Sequence, residues 1–245
     1  MPDLDTLPPL RDVIRTHNLR ADKKFGQNFL LDGNLTDKIV RQAGDVSGVN
    51  VIEIGPGPGG LTRSLLKSEA QSVTAIEFDP RVIPVLEKLK ESAGERFNFI
   101  QGDAMEVDYT EIVSTPRAIV ANLPYNVATP LLIGWLAQIY KDSGAYQSMT
   151  LMFQKEVAQR ITAQVGDKHY GRLAVLSQWL CDAKRAFDVP ASAFTPPPKV
   201  TSSIVHFVPK QLSESEPTFE AVEKVTAAAF CQRRKMLRSS VKEYK

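Results

Sequence analysis

Four consecutive residues, Asn122, Leu123, Pro124 and Tyr125, combine groups that could make the amine of a planar base nucleophilic. They follow the apolar run 118–121, which predicts a buried strand ending at this point. An amide oxygen and backbone carbonyls could accept the hydrogens of the amine and direct its lone pair at an electrophile. Proline adds rigidity without an N–H, and the tyrosine could stack on the base. A simple turn is the alternative, because asparagine and proline are common in turns.

A glycine-rich turn at 55–60 follows a second predicted strand, 49–54, and precedes a predicted helix. Glycine allows positive φ and lets the backbone come close to a ligand. The order of strand, glycine turn and helix is typical of nucleotide-binding sites. Glu53, on the strand itself, could either brace the turn or touch the ligand.

Two carboxylates come at the ends of the next predicted strands. Glu77 follows roughly twenty residues after the turn, where a carboxylate can accept both ribose hydroxyls. Asp103 follows strand 97–100, where it could accept from an adenine amine. The carboxyl ends of parallel strands meet at one edge, which is where open α/β sheets bind ligands. Both carboxylates, the glycine turn and Asn122 are therefore predicted to form one site.

Two cofactor classes could use this arrangement. A nicotinamide dehydrogenase would share the glycine turn and Glu77. However, the turn contains Pro56 and Pro58, which fit a pyrophosphate site poorly, and the stretch 122–125 has no role in hydride transfer. S-adenosyl-L-methionine is therefore the favoured cofactor.

The elements that must position these side chains alternate between strand and helix, which predicts an α/β fold with a parallel sheet covered by helices on both faces. Helix 129–139 is predicted to begin with Thr129 as N-cap and Pro130 as its first residue. The last two strands could form an antiparallel hairpin at the sheet edge. The predicted strands are 49–54, 72–77, 97–100, 117–121, 148–153, 184–189 and 203–208. The predicted helices are 32–42, one within 80–91, 129–139, 155–164, 172–180, 218–245 and one opening at 60–67.

The chain is predicted to divide near residue 209. Residues 1–209 contain the alternating elements, and 210–245 form a small helical domain that begins with a charged, serine-containing linker. The sequence ends in a basic stretch without a helix stop signal, so we expect the natural protein to continue.

Composition limits the class of protein. Of the 245 residues, 43% are hydrophobic and 24% are charged, which is typical of a globular protein. The net charge of +2 gives no overall basic character, so a nucleic-acid surface would have to be local. Each cation taken singly could instead be a solvated surface group, although the last four form a cluster. The candidate phosphate contacts are Lys23, Lys24, Arg233, Arg234, Lys235 and Arg238.

Other residue types point to a simple intracellular protein. Cys181 and Cys231 lie far apart, which suggests a reducing compartment and no disulfide framework. The three histidines have no metal-ligand spacing, so no metal site is expected. Neither a signal peptide nor an apolar run long enough for a membrane span is present. We expect a cytoplasmic protein without a membrane partner and, because no dimer surface is evident, a monomer.

Four motifs together resemble a known family. They are the runs 25–30, 53–59, 122–125 and 194–202, and they occur in the expected order. The segments 151–157 and 170–173 strengthen the match. The chain resembles the small-subunit rRNA adenine N6,N6-dimethyltransferases, and above all the bacterial 16S rRNA enzymes, from about Arg20 to Arg238.

The resemblance implies a Rossmann-like, seven-stranded class I methyltransferase domain followed by a small helical domain. It implies that a flipped adenosine is stacked by Tyr125 on one face and Phe194 on the other, while Asn122 and the Leu123 or Pro124 carbonyl accept its N6 hydrogens. Phe194 could alternatively fill the core at the base of its loop. The implied cofactor-binding residues are Asn28, Leu30, Gly55, Gly57, Glu77, Asp103, Ala104 and Asn122.

The implied activity is transfer of methyl groups from S-adenosyl-L-methionine to two adjacent adenosines in the 3′-terminal hairpin loop of 16S rRNA, in a small ribosomal subunit precursor. A large-subunit rRNA adenine methyltransferase of the antibiotic-resistance type would share the glycine turn and the stretch 122–125. The runs 154–157 and 194–200 favour the small-subunit enzyme. An RNA-binding assembly factor with the same fold and a small-molecule oxidoreductase are the remaining alternatives.

Overall fold

A twisted sheet of seven strands forms the centre of the computed structural model, which describes residues 4–19, 21–22, 26–213 and 215–231. The strands of this sheet are β2 (Asn50–Ile54), β3 (Ser72–Glu77), β4 (Phe97–Gln101), β5 (Arg117–Asn122), β6 (Ser148–Gln154), β7 (Cys181–Val189) and β9 (Ser202–Pro209). Two short strands, β1 (Phe29–Leu30) and β8 (Phe194–Thr195), pair with each other outside it. The helices are α1 (Leu10–Thr16), α2 (Gly33–Gln42), α3 (Gly60–Lys67), α4 (Ile83–Ala93), α5 (Tyr109–Ile112), α6 (Tyr125–Lys141), α7 (Lys155–Ile161), α8 (Arg172–Leu180) and α9 (Phe219–Cys231).

The strand order in the large sheet is β4-β3-β2-β5-β6-β9-β7. The first five strands are parallel, and β9 runs antiparallel to both β6 and β7. The predicted parallel α/β sheet and the antiparallel pair at its edge are confirmed. Because chain order reverses at β2, the carboxyl ends of β2, β3, β4 and β5 enclose a crevice.

Apolar side chains of the strands alternate between two cores. On β2, Val51 belongs to the core that α2, α3 and α4 cover, whereas Ile52 and Ile54 belong to the core beneath α6 and α8. This alternation follows from the two-residue repeat of a strand. Burial on both faces fixes the strand register and therefore the positions of the strand ends.

The predicted start of helix 129–139 is wrong, and the helix predicted at 155–164 ends earlier, at Ile161. Helix α6 begins at Tyr125 rather than after Thr129, and Pro130 lies inside it. Pro124 precedes the helix in an extended conformation, and its carbonyl accepts from the N–H groups of Val127 and Ala128 at 3.2 and 3.1 Å. The hydrogen bonds to the Pro124 carbonyl at the end of β5 outweigh the local preference of Pro130 for the first turn of a helix. The consequence is that Tyr125 and the residues after it project from a rigid helix.

The last described helix, α9, packs against the large domain. Phe219 is buried and stacks on Trp179 of α8, with ring centroids 6.4 Å apart. Arg172 of α8 forms an ion pair with Glu223. Within residues 215–231 the chain thus shares the core of the sheet, and the predicted division at residue 209 stays a prediction.

None of the helices in the described ranges has the length and apolarity needed to cross a membrane.

Candidate active site

A cavity of about 310 Å³ opens at the carboxyl ends of β2, β3, β4 and β5. The structure brings all of the predicted catalytic and cofactor-binding residues except Phe194 to its wall. Those that line it are Asn28, Leu30, Gly55, Gly57, Glu77, Asp103, Ala104, Asn122, Leu123, Pro124 and Tyr125. The crevice predicted from the strand order is therefore the place where these groups meet.

The glycine turn lets two parts of the chain approach closely. Gly57 has φ +52°, and a Cβ added there would lie 3.1 Å from the ring of Phe29. Its N–H donates to Glu77 Oε2 at 3.1 Å. A side chain at this position would therefore strain the backbone and press on the segment that follows residue 26.

Glu77 is held in a fixed orientation at the end of β3. Its second oxygen, Oε1, accepts from the N–H of Asp79 at 2.8 Å, and only 5% of the residue is exposed. Burial raises the pKa of Glu77 above its usual range. The N–H of Phe78 is a third backbone donor to this carboxylate, which has about four acceptor positions and can therefore still accept a hydroxyl donor in the cavity.

Asp103 and Ala104 form the wall next to the end of β4. Met105 donates its N–H to Asp103 Oδ1 at 2.8 Å, and the buried hydroxyl of Tyr109 donates to the Ala104 carbonyl. Phe78, which is 58% exposed, lines the same part of the cavity and offers an aromatic face. Sequence reasoning missed Tyr109 and Phe78. An aromatic residue directly after the acid that ends β3 was an available signal for Phe78.

Asn122 is oriented by the opposite wall of the cavity. Its Nδ2 donates to the backbone carbonyl of Asn28 at 3.2 Å, so Oδ1 remains as an acceptor. The Pro124 carbonyl is occupied at the start of α6, whereas no described residue donates to the Leu123 carbonyl. The Asn122 amide oxygen and the Leu123 carbonyl could therefore both accept from a ligand, and their role as the acceptor pair stays a prediction.

Tyr125 is half-buried beside these acceptors. Its hydroxyl shares a 2.6 Å hydrogen bond with Ser202, which is fully buried. Burial raises the pKa of Tyr125, so the phenol stays neutral near pH 7. The hydrogen bond fixes the ring, which lines the cavity. Sequence reasoning did not identify Ser202, because its contact crosses from β9 to α6.

Phe194 lies in the core rather than on the cavity wall. It is 3% exposed and belongs to the core that α2, α3 and α4 cover. On the main chain it pairs with Leu30 across the β1–β8 strand pair. This is the core-filling position considered as the alternative. A base-covering role for Phe194 requires the ring to leave the core, and that role stays a prediction.

The segment 26–30 lies across the cavity and is tied down along its length. The side chain of Gln27 donates to Asp79 Oδ2 at 2.8 Å, and Asp79 is in turn paired with Arg81 at 2.6 Å. Phe29 packs on the glycine turn, and Leu30 pairs with Phe194. These contacts fix the position of Asn28 and explain the unusual sequence that precedes α2.

Glu53 lines the cavity from β2 and is 1% exposed. Its Oε2 has no hydrogen-bond partner in the part of the chain that the structure describes. Burial, reinforced by the neighbouring Glu77 carboxylate, raises the pKa of Glu53 to about 8. The group is therefore mostly protonated at neutral pH.

The six predicted phosphate contacts cannot be compared with the site. Lys23, Lys24, Arg233, Arg234, Lys235 and Arg238 lie outside the described residues. Among the residues that are described, no three histidine, cysteine or acidic side chains group closely enough to hold a metal ion.

Comparison with known proteins gives consistent matches. The family model described as ribosomal RNA adenine dimethylase matches residues 18–244. A ribosomal RNA small subunit methyltransferase A from Sinorhizobium medicae is 56% identical over 243 residues, which are 99% of this chain and 88% of that protein. The protein of the same name from Rhodopseudomonas palustris is 56% identical over 245 residues, 99% of this chain and 84% of the relative.

Solved structures match as well. A dimethyladenosine transferase from Plasmodium falciparum is 32% identical, with a TM-score of 0.74 over 87% of this chain and 74% of that one. The 23S rRNA methyltransferase ErmE is 26% identical, with a TM-score of 0.69 over 88% of this chain and 84% of its own. A class I S-adenosylmethionine-dependent methyltransferase from Listeria monocytogenes, at 10% identity and a TM-score of 0.55, shares the fold alone.

Proposed function

The chain belongs to the ribosomal RNA adenine dimethylase family, and we propose that it dimethylates N6 of two adjacent adenosines in the 3′-terminal hairpin loop of small-subunit rRNA, with S-adenosylmethionine as methyl donor. The observation that carries this proposal is the Asn122 amide, whose nitrogen donates to the Asn28 carbonyl and which lines the cavity together with Leu123 and Tyr125. Relatives at 52–56% identity are named as small-subunit methyltransferases, which supports the choice of rRNA.

The cavity wall suits S-adenosylmethionine. Asp103 and the face of Phe78 would hold the adenine, and Glu77 would accept from the ribose hydroxyls. Gly55 and Gly57 leave room for the backbone of the ligand, and Asn28 and Leu30 would close over its methionine end. The lining offers acceptors, an aromatic face and close glycine backbone, which are the groups that such a ligand needs.

The reaction depends on two acceptors and one ring. Asn122 Oδ1 and the Leu123 carbonyl would accept the two N6 hydrogens, while Tyr125 stacks on the base. S-adenosylmethionine supplies an electrophilic methyl group. The oriented N6 lone pair would form the new N–C bond as the S–CH3 bond of the sulfonium breaks, the neutral thioether would leave, and the resulting ammonium would lose a proton to solvent. No side chain has to act as a strong base, so most of the rate enhancement comes from positioning.

Dimethylation uses the same site for two successive transfers. After the first transfer, N6 keeps one hydrogen, and a single acceptor suffices to turn its lone pair toward the second methyl group. The site must also admit the first methyl group beside the Leu123 carbonyl.

The rival activities fit less well. ErmE, which is named for 23S rRNA, matches at 26% identity, far below the small-subunit relatives. An assembly factor without activity would not need Asn122 and Tyr125 in this arrangement. The proposal also includes recognition of a small-subunit precursor and a monomeric state without metal. It assigns contacts with rRNA phosphates to Lys23, Lys24, Arg233, Arg234, Lys235 and Arg238.

The test is methyl transfer from tritiated S-adenosylmethionine to undermethylated small subunits and, separately, to large subunits, with label mapped by primer extension. Label is expected on two adjacent adenosines near the 3′ end of small-subunit rRNA. Asn122→Ala should lower the transfer rate by about 100-fold or more, because aligned polar groups contribute on this scale. Asn98→Ala, at an exposed position on β4, is the matched control and should transfer normally.

Two results would overturn the proposal. Label on large-subunit rRNA would favour the activity named for ErmE. Normal transfer by Asn122→Ala would remove the amide from the mechanism.

A further inference from the structure

Tyr109 is a buried hydroxyl group directly behind the predicted adenine site. It is the first residue of α5, 2% exposed, and its ring meets Trp135 edge-on with centroids 6.1 Å apart. Trp135 and Val113 are among its apolar neighbours in the core, and the buried Arg117 guanidinium donates to the Tyr109 main-chain carbonyl at 3.1 Å. Burying a hydroxyl without a hydrogen-bond partner is costly, and phenylalanine would fill the same space without that cost. The Tyr109 hydroxyl therefore requires a partner. That partner is the carbonyl of Ala104 on the cavity wall.

The bond reaches Asp103 through one peptide group. The Ala104 carbonyl and the Met105 N–H belong to the same planar unit, so rotating one rotates the other. The Met105 N–H donates to Asp103 Oδ1 at 2.8 Å. Glu106 closes the same turn by donating to the Asp103 carbonyl at 3.0 Å. The Tyr109 hydroxyl thus holds the peptide whose other end holds the carboxylate.

We propose that Tyr109 is a positioning residue for the adenine of the cofactor: through the Ala104–Met105 peptide it fixes the Asp103 carboxylate, leaving Oδ2 to accept the adenine amine. This inference rests on the proposed function and on the adenine contact of Asp103. Burial, with a smaller effect of the Asp103 charge, raises the pKa of Tyr109 far above its usual range. The phenol therefore remains a donor at every pH at which the enzyme would work.

The first experiment compares two buried tyrosines. Tyr109→Phe removes only the hydroxyl and should raise the Kd for S-adenosylmethionine, measured by calorimetry, by roughly 3- to 10-fold, the usual effect of one hydrogen bond. The KM for S-adenosylmethionine should rise by the same factor, while kcat stays within about two-fold because Asn122 and Tyr125 are untouched. Tyr146→Phe is the matched control, since that hydroxyl is buried in the same region as Tyr109 but donates to the Gln138 side chain, which does not line the cavity.

The control separates positioning from folding. Both variants lose a buried hydrogen bond and should lose similar thermal stability, but only Tyr109→Phe should change the Kd. Equal changes in Kd for the two variants, or none for Tyr109→Phe, would overturn the inference.

A double-mutant cycle tests the route through Asp103. If Tyr109 acts by holding that carboxylate, Tyr109→Phe should have no further effect on the Kd once Asp103→Ala is present. Additive effects would mean that Tyr109 acts independently of Asp103. An unchanged Kd for Asp103→Ala alone would remove the adenine contact and this inference with it. Methyl transfer to small subunits by the unmodified protein would show that the proposed function survives that result.

Discussion

Of the three carboxyl groups on the cavity wall, Glu53 is the one with the weakest hydrogen bonding. Its neighbours on the wall, Glu77 and Asp103, accept backbone hydrogen bonds, whereas Glu53 Oε2 has no described partner. A buried carboxyl in this position avoids charge, and its pKa of about 8 is the result. Stability of the ligand-free protein must then depend on pH through this residue.

The sign of that dependence follows from linkage. The pKa of Glu53 is raised from about 4.5 in the unfolded chain to about 8 in the folded one, so its stabilising effect is full below pH 4.5 and is lost as pH rises toward 8. Over that window the loss is about 1.4 kcal/mol per pH unit. Glu53→Gln should remove the loss. Urea unfolding at pH 5.5, 6.5 and 7.5 should show the variant gaining stability over the native protein at each step, and a constant difference would contradict the assignment.

At the scale of single residues, the sequence predicts those whose chemistry can be recognised from residue type and position in the chain. Asn122, Glu77 and Asp103 are polar groups that follow predicted strands, and all three line the cavity. Tyr109 contacts the Ala104 carbonyl, five residues earlier, and Ser202 contacts Tyr125, 77 residues away; nothing in their local pattern reveals those contacts. Phe194 shows the reverse case, because a family motif implied an exposed ring and the structure buries it.

At the scale of elements, the site depends on how closely α3 approaches β1. A Cβ added at Gly60, the first residue of α3, would lie 2.3 Å from the Leu30 carbonyl oxygen. That oxygen belongs to the backbone and cannot move without shifting the segment 26–30. Glycine at position 60 therefore sets the position of the segment that closes the cavity.

Gly60→Ala should displace that segment. We expect a loss of about 1–3 kcal/mol in unfolding free energy, as for other overpacked sites, and a loss of S-adenosylmethionine affinity of about 10-fold or more. Gly134→Ala is the control, because a Cβ there meets open space on the exposed side of α6. That variant should gain about 0.5–1 kcal/mol and bind normally. Normal binding by Gly60→Ala would show that the segment tolerates the shift.

Helix boundaries are the features of the elements that the local sequence pattern predicts least well. Thr129 and Pro130 have the residue types of a helix start, yet α6 begins four residues earlier than Thr129, at Tyr125. The deciding contacts are tertiary, since β5 delivers Pro124 to the sheet edge with its carbonyl aligned for the first turn. The sheet itself was predictable because its strands are short apolar runs bounded by turns.

For the whole molecule, the informative contact is the packing of α9 on the helices that cover the sheet. Phe219 packs between Tyr140 of α6 and Trp179 of α8, and Trp179 donates its indole N–H to Glu216. The sequence predicts a small helical domain after residue 209, because the charged, serine-containing segment 209–217 resembles a linker, and that division stays a prediction. The aromatic contacts across it could not be inferred from local pattern.

Phe219→Ala should therefore destabilise the entire chain. Removing this buried ring is expected to cost about 3 kcal/mol and to lower Tm by roughly 6–12 °C. Circular dichroism and tryptophan fluorescence should report a single transition at the same lower temperature. Val225→Ala, on the exposed side of α9, should change Tm little. If α9 were independent, the main transition would stay at its original temperature in Phe219→Ala.

The hydrogen bond between Asn122 and Asn28 has a consequence for mutational robustness. The acceptor is a main-chain carbonyl, 94 residues away in sequence, and every amino acid at position 28 would present the same carbonyl. Sequence drift at that position can alter the surroundings of the methyl donor, but it leaves the direction of the amide unchanged. The direction of the Asn122 amide is thus encoded in the path of the backbone, and substitutions at position 28 should leave it unchanged even where they alter the proposed cofactor contact of that residue.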